Sequence, residues 1–113
     1  MGCQKNPRAR SRSRRIMMRE LDFKAVARSA VTNSRVLLPR WLPDGRLMGS
    51  EWLARNPTRP DRTLGSFKIS LKSGRWADFA TGDGGGDLIS LRAYLDGTSQ
   101  REAAIRLAEE LGL

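Results

Sequence analysis

The stretch Gly65-Ser-Phe-Lys-Ile-Ser-Leu-Lys-Ser-Gly-Arg-Trp-Ala-Asp-Phe-Ala-Thr-Gly-Asp-Gly-Gly-Gly-Asp87-Leu-Ile-Ser-Leu91 decides how this chain folds. Phe67, Ile69 and Leu71 alternate with Ser66, Lys68, Ser70 and Lys72, the period of a strand with one wet face. Ser73-Gly74 reads as a two-residue turn, because glycine accepts the positive φ such turns need. That loop sets Lys72 opposite Arg75, Leu71 opposite Trp76 and Lys68 opposite Phe79. The core face then holds Phe67, Ile69, Leu71 and Trp76, and the outer face holds Lys68, Lys72, Arg75 and the ring of Phe79. The same register aims Asp78 at the core, so a bulge or an early strand end is expected there. Residues 82–86 read as a flexible glycine turn into a helix capped by Asp87. Leu88, Leu91 and Leu95 line one side of that helix and Gly97 ends it.

Working outward, Asp22 is the expected N-cap of a helix running to about Leu38. Phe23, Val26, Ala27, Ala30 and Val31 make its apolar stripe. Pro39 and Pro43 are expected to stop it, with Trp41 and Leu42 between them as core anchors. Asp44-Gly45 turns into a strand over about Leu47 to Arg55, and residues 56–63 form a proline-punctuated loop. Ser99-Gln-Arg-Glu102 is a capping box for a last helix whose buried stripe is Ala104, Leu107, Ala108 and Leu111. The expected class is α+β: one N-terminal helix, a small antiparallel sheet and two C-terminal helices. Residues 1–19 are expected to be a disordered basic tail and 20–113 a single domain.

Composition narrows the chemistry. The 113 residues carry a net charge of +9, no histidine and one cysteine, Cys3. An internal disulfide is excluded, and so is a structural zinc site built from four Cys or His ligands. No run approaches the roughly 18 apolar residues of a membrane span, and the segment after Arg14-Arg15 is too short for an export signal. The expected location is cytoplasmic. Residues 1–19 hold seven basic groups and no acid, enough like charge to keep a segment extended. They read as a phosphate-binding arm, as a solvated tail, or as an untranslated leader if Met17 or Met18 is the start. Residues 35–76 carry nine basic and three acidic groups, and residues 77–113 three basic and seven acidic. Positive potential is thus concentrated on the middle of the chain.

The glycine run has neither the lysine nor the Ser/Thr of a phosphate loop, and Asp87 breaks the dinucleotide fingerprint. Asp83 and Asp87 would repel an anion placed there. Asp78, Asp83 and Asp87 lack the spacing of a cation cage, and with no histidine there is no nucleophile–base pair. The chain is therefore expected to be non-catalytic and to need no cofactor and no metal. The basic hairpin face has clearer chemistry. Cations alternating along a strand beside an aromatic ring suit a single strand of nucleic acid, with phosphates on the cations and a base on the ring. The same lysines would also guard a wet hairpin against edge pairing.

The order of these features resembles the zinc ribbon at the start of bacterial DNA primases. Gly65-Ser-Phe-Lys-Ile69 is similar to that family's Pro-Ser-Phe strand, and Gly85-Gly-Asp-Leu-Ile-Ser-Leu91 to its Gly-Gly-Asp signature. The final Ser99-Gln-Arg-Glu-Ala-Ala104 resembles its last helix. The family's zinc ligand pairs would fall near Asn56 to Pro60 and near Asp78 to Thr81, where this chain has no thiolate or imidazole. Over residues 20–113, Leu38-Pro-Arg-Trp-Leu-Pro43, Ala54-Arg-Asn-Pro-Thr-Arg59 and Gly74-Arg-Trp-Ala-Asp-Phe-Ala-Thr-Gly-Asp83 resemble the N-terminal region of phage, plasmid and mobile-element primase–helicases. In those, a zincless ribbon precedes the catalytic module. The resemblance implies binding of single-stranded template DNA in mobile-element replication, with a primase or helicase catalytic subunit as a possible partner and no membrane. The residues it selects are Lys68, Lys72, Arg75 and Phe79, flanked by Arg59 and Arg62. An adaptor docking on a helicase through acidic C-terminal helices, or a degenerate remnant, fits the same residues.

Overall fold

The structure, a computed structural model, describes residues 22–60 and 64–113. The 1–19 tail, Cys3 and Arg62 lie outside these described residues. Two short helices come first, α1 (Phe23–Thr32) and α2 (Ser34–Trp41). Five strands follow: β1 (Arg46–Met48), β2 (Glu51–Ala54), β3 (Phe67–Ser70), β4 (Trp76–Asp78) and β5 (Gly84–Gly85). Helices α3 (Leu88–Asp96) and α4 (Gln100–Leu111) complete the fold. The strands make one antiparallel sheet in sequence order, so the class is α+β as expected.

The single N-terminal helix of the sequence reading is in fact two. Asp22 caps α1 as expected, accepting from Ala25 N at 3.1 Å. The break falls at Asn33, whose side chain donates to Ser29 O at 2.8 Å and whose backbone starts the next helix as N-cap. An Asn side chain bonding back four residues competes with continuation of the ladder, which is why this residue type marks helix ends. Pro39 does not stop α2. It lacks one N–H, but Leu37, Leu38 and Leu42 are buried around it, and Leu42 N still reaches Leu38 O at 2.8 Å. Burial of that face outweighs one missing hydrogen bond.

The strand expected over Leu47 to Arg55 is likewise a hairpin. Met48 pairs with Glu51 around Gly49-Ser50, with Gly49 at φ +61°. The stretch therefore does not alternate with one period, since a two-residue loop puts Met48 and Glu51, three residues apart, on the same face. The central hairpin is shifted by two residues from the expected register. Ile69 faces Trp76 and Lys68 faces Ala77, so Leu71 to Gly74 form a four-residue turn. Ser70 Oγ ties this turn together by accepting from Lys72 N and Ser73 N, both at 3.2 Å. A shift of two preserves the faces, so Phe67, Ile69 and Trp76 still point inward. Lys72, however, sits in the exposed turn and not on the strand.

The inner sheet face packs on the helices. Phe67, Ile69 and Trp76 meet Leu88, Ile89 and Leu91 of α3, Leu107 of α4, and Val26 and Ala30 of α1 in one core. Phe67 and Trp76 meet edge to face at 6.0 Å, and the Tyr94 ring lies 4.7 Å from Trp76. Ser99 caps α4 by accepting from Glu102 N at 3.1 Å, and Gly97 ends α3 in the left-handed region.

The glycine run is not only a turn. Gly84 and Gly85 form β5, pairing with Ala77 and Trp76. A Cβ on Gly85 would come within 2.3 Å of Ser90 Oγ and 2.6 Å of Trp76 Nε1, whereas one on Gly86 would meet nothing within 4 Å. Gly85→Ala is therefore expected to destabilise the domain by about 1–3 kcal/mol through overpacking. Gly86→Ala should change stability by less than about 0.5 kcal/mol. Chemical denaturation of the two variants checks this, and equal losses would contradict it.

Candidate nucleic-acid interface

Period-two alternation across paired strands fills the outer sheet face in rows. Arg46, Leu53, Lys68, Ala77 and Gly84 stand side by side in one row, and Met48, Glu51, Ser70 and Arg75 in the next. Phe79 continues this face just beyond β4, where its N–H donates to Ser66 O at 2.8 Å. Its ring is 70% exposed, and Lys68 Nζ lies 5.5 Å from the ring centroid. An aromatic ring this exposed on a sheet contributes little to the core. Lys68, Arg75 and Phe79 border an open groove of about 600 Å³, with Glu51, Ser70 and the Gly85–Gly86 backbone on its other sides.

The structure thus brings Lys68, Arg75 and Phe79 to one surface. Lys72 lies on the adjoining turn. Arg46 joins the row of Lys68, although the sequence reading passed it over. The missed signal was Gly49-Ser50, because only a hairpin there brings Arg46 onto the sheet.

Arg59 turns the other way, inward onto Asp78. Asp78 is fully buried and its carboxylate accepts from four donors. These are Arg59 Nε at 2.8 Å, Arg59 Nη2 at 3.1 Å, Asn56 Nδ2 at 2.8 Å and Ala80 N at 2.9 Å. Of the two outcomes expected at the inward aspartate, the early strand end is the one observed, since β4 stops at Asp78, and partners neutralise its carboxylate. Asn56 is equally buried. Its amide also donates to Tyr94 Oη at 2.8 Å, and Tyr94 donates to Asp83 Oδ2 at 2.8 Å. The cluster therefore joins the loop after β2, the turn after β4 and helix α3. The loop after β2 and the turn after β4 are the two segments where the resemblance to primases expects zinc ligands. Among the described residues no three His, Cys, Asp or Glu side chains gather into a metal cluster. Asp87 is occupied as the cap of α3, accepting from Ser90 N at 2.8 Å.

The Arg59 hydrogen bonds hold the Asp78 carboxyl well below the usual carboxylate range. Burial opposes them, while Asn56 and Ala80 N reinforce them.

No protein-family model matches this chain, and no curated protein does. Among solved structures it is similar to the Aquifex aeolicus primase, a structure of zinc-binding and RNA polymerase domains. The TM-score is 0.65 at 26% identity, over 80% of this chain and 21% of the primase chain. The fold is therefore primase-like, and the chain spans about a fifth of that primase.

A lowered folded-state pKa means that Asp78 stabilises the domain at pH values above its unfolded pKa of about 3.9. That stabilisation is lost progressively as pH falls below this value towards the folded one. Asp78→Asn should flatten the acid limb of the stability–pH curve. At neutral pH it should cost about 3–5 kcal/mol, because Arg59 loses its buried counter-charge. Urea melts from pH 3 to 7 measure both effects. An unchanged acid limb would show that Asp78 does not control it.

Proposed function

We propose that this domain is a non-catalytic, primase-type module that binds single-stranded template DNA across the outer face of its sheet. The observation that carries the reading is the exposed Phe79 ring beside Lys68 and Arg75 on a groove floored by β-strands. Strands supply a rigid platform with a fixed spacing between cations, and each base has a π-face that an exposed ring can stack on. The primase-like fold is consistent with a role in DNA replication. In this reading the catalytic module, a primase or helicase subunit, is supplied by another protein or another part of a longer one, and the setting is replication of a mobile element inside the cytoplasm.

The acidic residues of the C-terminal helices favour this reading over a helicase adaptor. Asp96 pairs with Arg92 at 2.9 Å, Glu102 with Arg106 at 3.0 Å and Glu110 with Arg40 at 2.9 Å. Much of the charge an adaptor would offer a partner is thus already neutralised within the domain. Arg59 supports the interface by anchoring Asp78, and Arg62 remains a flanking candidate outside the described residues.

We further propose that the Asn56–Arg59–Asp78 cluster does the cross-linking for which the primase zinc ribbon uses a metal. Chelator treatment is then expected to leave the melting temperature unchanged, and elemental analysis should find no stoichiometric zinc. A chelator that unfolds the domain would refute the proposal.

Binding to a fluorescent oligonucleotide across a salt series tests the main reading. Lys68→Ala, Lys72→Ala and Arg75→Ala together should flatten the log K against log salt slope by about 2, at roughly 0.7 for each lost single-strand phosphate contact. Phe79→Ala should weaken binding by about 1–3 kcal/mol with little change in slope. A triple variant that keeps both the parent's affinity and its slope would move the interface off this face.

A further inference from the structure

The groove between the cations contains one group that a phosphate-binding surface does not need. Glu51 begins β2 and lines the groove with Lys68 and Arg75. In the pairing register it stands directly across from Ser70, in the same row as Arg75. Glu51 is exposed, and among the described residues it forms none of the salt bridges that occupy Asp78, Asp96, Glu102 and Glu110. The neighbouring hydroxyls are already engaged. Ser70 Oγ accepts from Lys72 N and Ser73 N, and Ser73 Oγ accepts from Arg75 N at 3.2 Å. The Glu51 carboxylate is thus the one charged acceptor among the side chains lining the groove.

Its position relative to the other groups follows from the sheet. Phe79, Lys68 and Glu51 lie in successive rows on successive strands, a diagonal with steps of roughly 8 Å given ordinary strand spacing and rise. A single strand laid along that diagonal would stack one base on Phe79 and pass its phosphates over Lys68 and Arg75. A following base would then meet Glu51. A carboxylate repels phosphate, so at this point it favours binding only if it receives hydrogen bonds from a base edge.

We infer that Glu51 is a specificity-determining residue of the groove, selecting bases that present an amino edge over thymine or uracil. This rests on the nucleic-acid reading above. Guanine matches best, because its N1–H and N2–H donate side by side to the two carboxylate oxygens. Cytosine N4 and adenine N6 each offer an amino group. Thymine has one N–H between two carbonyl oxygens, and those oxygens face the carboxylate with like partial charge. Paired hydrogen bonds of this kind carry base discrimination in other complexes.

The test uses the full chain, fluorescein-labelled oligo(dT), and the same oligomer with two central thymines replaced by guanines or by cytosines. The parent protein is expected to bind the guanine-substituted oligomer at least about fivefold more tightly than oligo(dT). Glu51→Ala should remove the preference, mainly by strengthening oligo(dT) binding as the repulsion is relieved. Glu51→Gln, which can donate to a thymine carbonyl, should also erase or reverse it. Thermal melts should be unchanged for both variants, since Glu51 is exposed. If Glu51→Ala strengthens every oligomer by one common factor and keeps their order, Glu51 is only a repulsive rim charge and the inference falls. Binding by the parent with no base preference overturns this inference while leaving the proposed function intact. Failure of the parent to bind any of the oligomers overturns both.

Discussion

A carboxylate on the apolar side of a sheet is the constraint around which this domain is organised. Asp78 faces the core in strand register, and an unpaired charge there would be strongly destabilising. Arg59, Asn56 and the Ala80 N–H satisfy it, and in doing so they draw in the loop after β2 and the turn after β4. Tyr94 and Asp83 extend the same network to α3. In a domain this small such a knot matters, because the apolar core alone has little surplus stability. Loops that would otherwise be held only at their ends are tied to the sheet and to a helix.

The same constraint shapes the outer face of the sheet. Successive residues on a strand point to opposite faces, so an inward Asp78 obliges Ala77 and Phe79 to point outward. Phe79 is consequently exposed although phenylalanine ordinarily seeks the core. Lys68 lies beside its ring, and Arg75 lies one row farther along. The floor of the groove is kept open at its far side by β5, which contains only glycine. Gly85 is required by the packing of Trp76 and Ser90, while Gly86 is sterically free and leaves the rim low. Buried polar chemistry on one side of the sheet and exposed cationic and aromatic chemistry on the other thus share one hairpin.

Arg59 shows how far a residue's type can mislead about its place. An arginine in a proline-rich loop near basic strands reads as a phosphate contact. Its guanidinium instead forms a two-point pair with Asp78, a geometry that a planar fork suits better than lysine would. The positive potential of the outer face comes from Lys68, Arg75 and Arg46, with Lys72 on the turn. The likeness to a primase lies in the scaffold that carries these groups.

Much was legible in the residues themselves wherever a local rule operates. Alternation from Phe67 to Ser70, the caps at Asp22, Asp87 and Ser99, and the stop at Gly97 each depend on a few neighbouring side chains, and all appear in the fold. The inward aim of Asp78 was also readable, because a register error of two residues leaves the faces unchanged. What the tertiary structure alone decided were the outcomes of competition between distant groups. Burial of Leu37, Leu38 and Leu42 carried α2 past Pro39. The fit of Trp76 against bare backbone turned a glycine run into a strand. Asp78 found Arg59, 19 residues away in sequence, and that pairing converted an apparent defect in the strand pattern into its anchor. Local propensity is written in short windows of sequence, but partners for buried charge and space for large rings are not settled until the layers meet.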